Sequence, residues 1–261
     1  MENRRHFLRR LACLCIAMAT LGCGWAQSKR DTVRVTSSSP LDAAAIVFVA
    51  NGAGDSRALS ESLSRVVAQS KAPLQIETVA WSRGRARILA DQLDYDNHVF
   101  NGRQLAALVA AQRRDCPGRR ICLIGHSAGC AVVLAAAEQL PPDSIDRIVL
   151  LAASVCANYD LRPALRASKG IDAYHSEQDR WVLGFGVRVF GTTEPGCKVA
   201  AGKSGFTPVI STPADAALYG RLRQHPWNET VQWSGHDGSH SGQHEADFLK
   251  AYVLPILLSA D

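Results

Sequence analysis

Residues 125–129 read Gly-His-Ser-Ala-Gly, a serine between two glycines where an apolar run, ICLIG, meets an alanine-rich one, AGCAVVLAAAEQL. A serine hydroxyl is a weak nucleophile until a neighbouring base takes its proton. In a G-x-S-x-G turn between a strand and a helix the chain bends so sharply that the serine takes a strained backbone conformation, and the flanking glycines remove side-chain clashes. The hydroxyl is thereby exposed at the rim of the sheet. The helix that follows favours negative charge at its first turn, and the backbone N–H of Ala128 is placed to donate to an oxyanion. The chemistry these residues point to is acyl transfer through Ser127.

Other turns supply groups that could act with it. YHSEQDRWV, residues 174–182, carries Glu177 and Asp179; ANYDLRP carries Asp160; WSGHDGSHSGQH carries His236, His240 and His244. Those three histidines recur every four residues, which on one helix would set three imidazoles on one face as metal ligands, so a metal-dependent hydrolase is the rival chemistry. Gly235, Gly238 and Gly242 speak against a helix there, and no HExxH is present. No GxGxxG and no Walker pattern occurs, so no cofactor is expected.

The elements that must hold these turns are legible from periodicity. AAAIVFVA (43–50), LQIETVAW, ICLIG, SIDRIVLLAAS, IDAYHS and ETVQWS read as strands. RALSESLSRVVAQS, RQLAALVAAQRR, AGCAVVLAAAEQL, DLRPALRAS and EADFLKAYVLPILL read as helices, with Pro255 expected as a kink or a stop. Strands that are apolar on both faces and alternate with helices predict an α/β fold: a mostly parallel central sheet with helices on both faces. Ligands on such sheets sit beyond the carboxyl ends of the strands, so the turns at 51–55, 125–129, 176–180 and 235–242 are expected to share one rim.

On these residues the chain resembles the α/β-hydrolase superfamily, serine esterases and lipases of the exported bacterial type, from about residue 43 to the C-terminus. The resemblance implies a catalytic triad in the chain order serine, acid, histidine. It implies Asp179 as the acid, with Asp160 as the alternative and Glu177 a weaker one. It implies His240 as the base among small residues before the final helix, with His236 as runner-up and His244 beginning or capping that helix. It also implies a second oxyanion donor, the backbone N–H of Ala53 in FVANGAGD, where Asn51 stands in place of the family's frequent histidine. The activity implied is cleavage of a small-molecule or lipid acyl ester by a carboxylesterase-like or lipase-like enzyme; a non-catalytic binding or surface module on the same fold is the alternative. Trp181, Phe185, Phe190, Phe206 and Tyr219 are candidates to line an acyl pocket, against ordinary packing.

Composition bounds the rest. In 261 residues, 47% hydrophobic, no period repeats and no linker divides the chain, so one domain over 43–261 is expected after an N-terminal leader. That leader, residues 1–26, has the cationic start, short apolar stretch and small residues of an export signal, and RRHFLR resembles the twin-arginine type. Two cuts compete, a lipobox-like site at Cys23 that would give a lipid anchor and a signal-peptidase site after Ala26. The protein is therefore expected in the periplasm or cell envelope. Losing residues 1–22 removes four arginines against Glu2, a net +3, and lowers the whole-chain charge from +5 to +2. So balanced a surface gives no footprint for nucleic acid. Of the cysteines beyond the leader, Cys122 and Cys130 read as buried, Cys156 is unassigned, and Cys116 with Cys197 is a possible bridge.

Overall fold

Alternation along the strands decides the layers. The computed structural model describes residues 35–37 and 43–259, so the expected leader and the Cys23 and Ala26 cuts lie outside the described residues. Strands β1 (Val35–Ser37), β2 (Ala45–Ala50), β3 (Leu74–Val79), β4 (Arg120–His126), β5 (Arg147–Leu151), β6 (Ile171–His175) and β7 (Leu222–Pro226) form one sheet in the order β1-β3-β2-β4-β5-β6-β7. β2 to β7 are parallel and β1 pairs antiparallel with β3.

Ile46, Phe48 and Ala50 of β2 enter one buried cluster with Leu105 and Val109 of α3 (Tyr95–Asp115) and Val132 and Val133 of α4 (Gly129–Ala137). The alternate residues Ala45, Val47 and Val49 enter the other, with Leu59, Leu63 and Val66 of α1 (Ala58–Gln69) and Phe248, Leu249 and Leu257 near the C-terminus. A strand buried on both faces needs apolar residues at every position, which is why β2 and β4 read as unbroken hydrophobic runs. α4 is buried on every side, and its packing on α3 is close: a Cβ on Gly102 would stand 2.6 Å from that of Ala135. The C-terminal helical stretch keeps Pro255 by passing through a π-helical turn, Leu249–Val253, so that the proline falls in the first turn of Leu254–Leu258, where its missing N–H costs nothing.

Two local expectations are corrected. ETVQWS is a 3₁₀ helix, Glu229–Ser234, with Trp233 exposed; the last strand is β7, LRQHP, which pairs with Ile171–His175. β7 is a half-exposed edge strand ending in a proline, so it lacks the hydrophobic alternation that marks a strand in sequence. The disulfide joins Cys156 to Cys197, and Cys116 is an exposed free thiol; Cys122 and Cys130 are buried and free. Cys156 follows β5 and Cys197 lies in the segment after β6, so the bridge ties that long segment to the sheet rim.

Closing a loop with a sequence separation of 41 removes unfolded-state entropy. Replacing Cys197 by serine should therefore lower unfolding free energy by about 2–4 kcal/mol in urea titration, while Cys116→Ser leaves it within about 0.5 kcal/mol.

Candidate active site

The turn at Ser127 has the strain its motif requires. Ser127 has φ +54°, in the left-handed region that side chains disfavour. Three backbone hydrogen bonds hold it there: its N–H donates to Leu151 O at 3.0 Å, and its carbonyl accepts from the N–H groups of Cys130 at 3.1 Å and Ser154 at 3.2 Å. The flanking glycines are sterically required. A Cβ on Gly125 would lie 2.7 Å from Cys130 Cα, and one on Gly129 would overlap the carbonyl oxygens of Ala50 and Asn51. Register sets Gly125 beside Ala50 and His126 beside Leu151, so the ends of β2, β4 and β5 meet at the serine.

Asp179 closes the turn after β6, its N–H donating to Ser176 O at 3.2 Å. Its carboxylate is 3% exposed and takes two donors, Leu183 N–H at 3.1 Å and the imidazole Nδ1 of His240 at 2.6 Å. A carboxylate only accepts, so Nδ1 carries the proton and a neutral His240 ring keeps Nε2 as an acceptor. His126 donates from Nε2 to His240 O at 3.3 Å, and the two rings lie 4.8 Å apart. The expected base is thus seated beside the residue preceding Ser127. Ser127 Oγ and His240 Nε2 make no hydrogen bond to any described residue.

The other candidates are turned elsewhere. Asp160 spends both oxygens on Arg162, at 2.8 Å and 2.7 Å, and Glu177 is exposed. His236 packs edge-on to Phe248 and accepts Gly238 N–H on Nδ1 at 3.2 Å; His244 sits in a 3₁₀ turn, Gly242–His244, with its ring 4.1 Å from that of His126. His236, His240 and His244 therefore face three different partners, and among the described residues no group of three His, Cys, Asp or Glu side chains is arranged to hold a metal. Phe206 and Tyr219 belong to the core, which corrects them as pocket candidates, while Trp181 and Phe190 are exposed and the Phe185 side chain lies outside the described residues.

The turn after β2 lies against the serine: a Cβ on Gly52 would be 3.6 Å from that of Ser127. The backbone N–H groups of Ala53 and Ala128 donate to no described residue. Asn51, which stands where the family frequently has a histidine, bonds both ways with Ser60, donating from Nδ2 to Oγ at 2.9 Å and accepting the Ser60 N–H on Oδ1 at 3.0 Å, and so ties the turn to α1. Trp81 Nε1 donates to Asn51 O at 2.8 Å, and Asp91 accepts the N–H of Gly54 at 2.9 Å. Asp91 is not among the candidates read from the sequence, where ILADQL shows it only as one of two polar residues beside each other, Asp91 and Gln92. A cavity of about 210 Å³ opens beside Gly52, lined in part by Arg57, Thr78 and Trp81.

Burial keeps several imidazoles neutral. His236 and His244 are pushed down to about 4, chiefly by desolvation; at His244 the neighbouring His240 and His236 add to the shift, while Asp237 opposes it at His236. His126 is held well below the usual range by burial, then by His244 and His240.

Compared with known proteins, residues 13–194 match the profile of a family described as alpha/beta hydrolase fold. Among solved structures the chain is similar to esterase PE8, at 16% identity with a TM-score of 0.51 over 87% of this chain and 100% of that one. It is also similar to a predicted CIB-like hydrolase from Thermoplasma acidophilum, at 12% identity with a TM-score of 0.53 over 88% and 95%. At such identities the likeness is one of fold. No curated protein matches the sequence significantly.

In the unfolded chain histidines bind protons from about pH 6.5 downward, whereas folded His236 and His244 do so only near 4. Between those values the unfolded state takes up more protons, so stability is lost as pH falls through that window. Urea midpoints should drop between pH 6.5 and 4.5, above the range where most carboxylates titrate; a midpoint constant over that interval would contradict the burial of neutral imidazoles.

Proposed function

The chain belongs to the α/β-hydrolase fold family, and we propose that it is an exported serine hydrolase cleaving a carboxylic ester or related acyl bond through an acyl-enzyme. The observation that carries the reading is the convergence at one rim of a strained Ser127, φ +54°, with a His240–Asp179 pair bonded at 2.6 Å. Ser127 Oγ attacks the carbonyl carbon while His240 Nε2 takes its proton. The Asp179 carboxylate keeps the ring oriented and stabilises the imidazolium that forms.

The carbonyl oxygen becomes an oxyanion facing the backbone N–H groups of Ala53 and Ala128, with the N-terminus of α4 adding a favourable field. Collapse breaks the bond to the leaving alcohol, which receives the proton from His240. Water then gives a proton to His240 and attacks the acyl-enzyme; the acid leaves and Ser127 recovers its proton. The substrate class is a small-molecule or lipid acyl ester, of carboxylesterase or lipase type. No step requires a metal or organic cofactor. The disulfide between Cys156 and Cys197 supports export, because such bridges persist in oxidising compartments.

Steady-state hydrolysis of p-nitrophenyl esters of graded chain length tests the assignment. Ser127→Ala and His240→Gln should each lose on the order of a thousandfold or more in kcat, and Asp179→Asn on the order of a hundredfold to ten-thousandfold. Wild-type turnover in a folded Ser127→Ala protein would sink it, and an inactive wild type would favour the binding module.

A further inference from the structure

Helix α2 (Ile88–Leu93) is inside out. Its apolar residues Ile88, Leu89 and Leu93 are exposed, and its one fully buried side chain is Asp91, at 0% exposure. Hydrophobic burial therefore does not explain how this helix docks. Asp91 also has no lysine or arginine partner among the described residues, so its charge is met by hydrogen bonds alone. A buried carboxylate without a cation is costly unless its oxygens are well satisfied.

The satisfying donors all come from two turns at the rim. Asp91 Oδ2 accepts Gly54 N–H at 2.9 Å and the Ser82 hydroxyl at 2.5 Å; Oδ1 accepts Arg83 N–H at 2.9 Å. Because the carboxylate only accepts, the Ser82 proton goes to Asp91. Its oxygen is then left to accept Asp55 N–H at 2.7 Å and Gly84 N–H at 3.0 Å. From behind, His98 Nε2 donates to the Asp91 carbonyl at 2.5 Å.

What this pair grips is a strained turn. Gly54 and Asp55 have φ +78° and +53°, two successive left-handed residues, and a Cβ on Gly54 would come 2.5 Å from Ile88 Cγ1. Asp91 holds the N–H of the first and Ser82 that of the second. Ala53 immediately precedes them. We propose that Asp91, with Ser82 as relay, is the positioning residue of the oxyanion turn, fixing the backbone so that the Ala53 N–H faces the oxygen that becomes negative on Ser127. This rests on the reading of Ala53 as an oxyanion donor. Asp91 is fully buried and the Ser82 proton is given to it; the effect reaches the reaction through the Ala53 N–H, so it bears on the tetrahedral state and hardly on the bound ester.

The test compares Asp91→Asn, Ser82→Ala and Ser82→Thr with wild type, kcat being counted per active site titrated with a fluorophosphonate. Asp91→Asn should lower kcat about tenfold to a hundredfold with KM within about twofold. It should weaken an aryl trifluoromethyl ketone, which forms a hemiketal oxyanion on the serine, by a similar factor, and leave the matching methyl ketone unchanged. Ser82→Ala should shift the same two readouts in the same direction, by about threefold to tenfold, and Ser82→Thr, which keeps the hydroxyl, should restore them. If Asp91→Asn does not fold, Ser82→Ala and Ser82→Thr decide. Wild-type kcat and ketone affinity in folded Ser82→Ala, or losses that vanish per titrated site, overturn the proposal. With Ser127→Ala inactive, that result removes only the role of Asp91 and Ser82; an active Ser127→Ala protein removes the underlying reading.

Discussion

Ser127 sits at φ +54° because β4 and α4 meet with almost no room between them, and the rest of the rim is arranged around that turn. Left-handed backbone costs a non-glycine residue on the order of 1–3 kcal/mol and persists only where its surroundings over-determine it. Here they do: Gly125 lies against Cys130, Gly129 against the end of β2, and Leu151, Cys130 and Ser154 hold both backbone groups of the serine. The same closeness makes α4 a helix of small residues buried on every side. Its packing is what aims one hydroxyl outward at the ends of three parallel strands.

A second feature follows from the first. A rim made of short, polar turns brought into register at the strand ends cannot be built from apolar contacts alone. The chain instead buries polar groups and satisfies them in pairs. Asp179 meets Leu183 and His240; Asn51 meets Ser60; Asp91 meets Gly54, Ser82 and Arg83. Two of these bonds join segments far apart in sequence, 61 residues for Asp179 with His240 and 37 for Asp91 with Gly54. His126, His236 and His244, packed near them, are disfavoured in their charged form by burial.

Much of this was legible in the sequence because it follows from local pattern. Unbroken apolar strands, a helix signal behind GHSAG, and a histidine among small residues before the last helix each depend on neighbours a few positions away. The fold could be expected on that basis, whereas the pairing of Asp179 with His240 was implied only by the resemblance to the α/β-hydrolase superfamily, with Asp160, Glu177 and His236 as alternatives. The misreadings share a physical cause as well. ETVQWS has strand propensity but folds with Trp233 in solvent, while β7 pairs through its backbone and carries little apolar pattern. The Cys156–Cys197 bridge depends on how a long segment returns to the rim, which cysteine spacing does not encode. Asp91 was invisible because a buried acid in a short helix looks, in sequence, like an ordinary solvated one.

The central claim is that Ser127 is an activated nucleophile, and active-site labelling reaches it most directly. The purified protein would be treated with a fluorophosphonate and the modified residue mapped by mass spectrometry, with denatured protein as control. The account predicts stoichiometric label on Ser127 that is lost on denaturation. Label on another residue, or Ser127 labelled equally in the denatured chain, would contradict it.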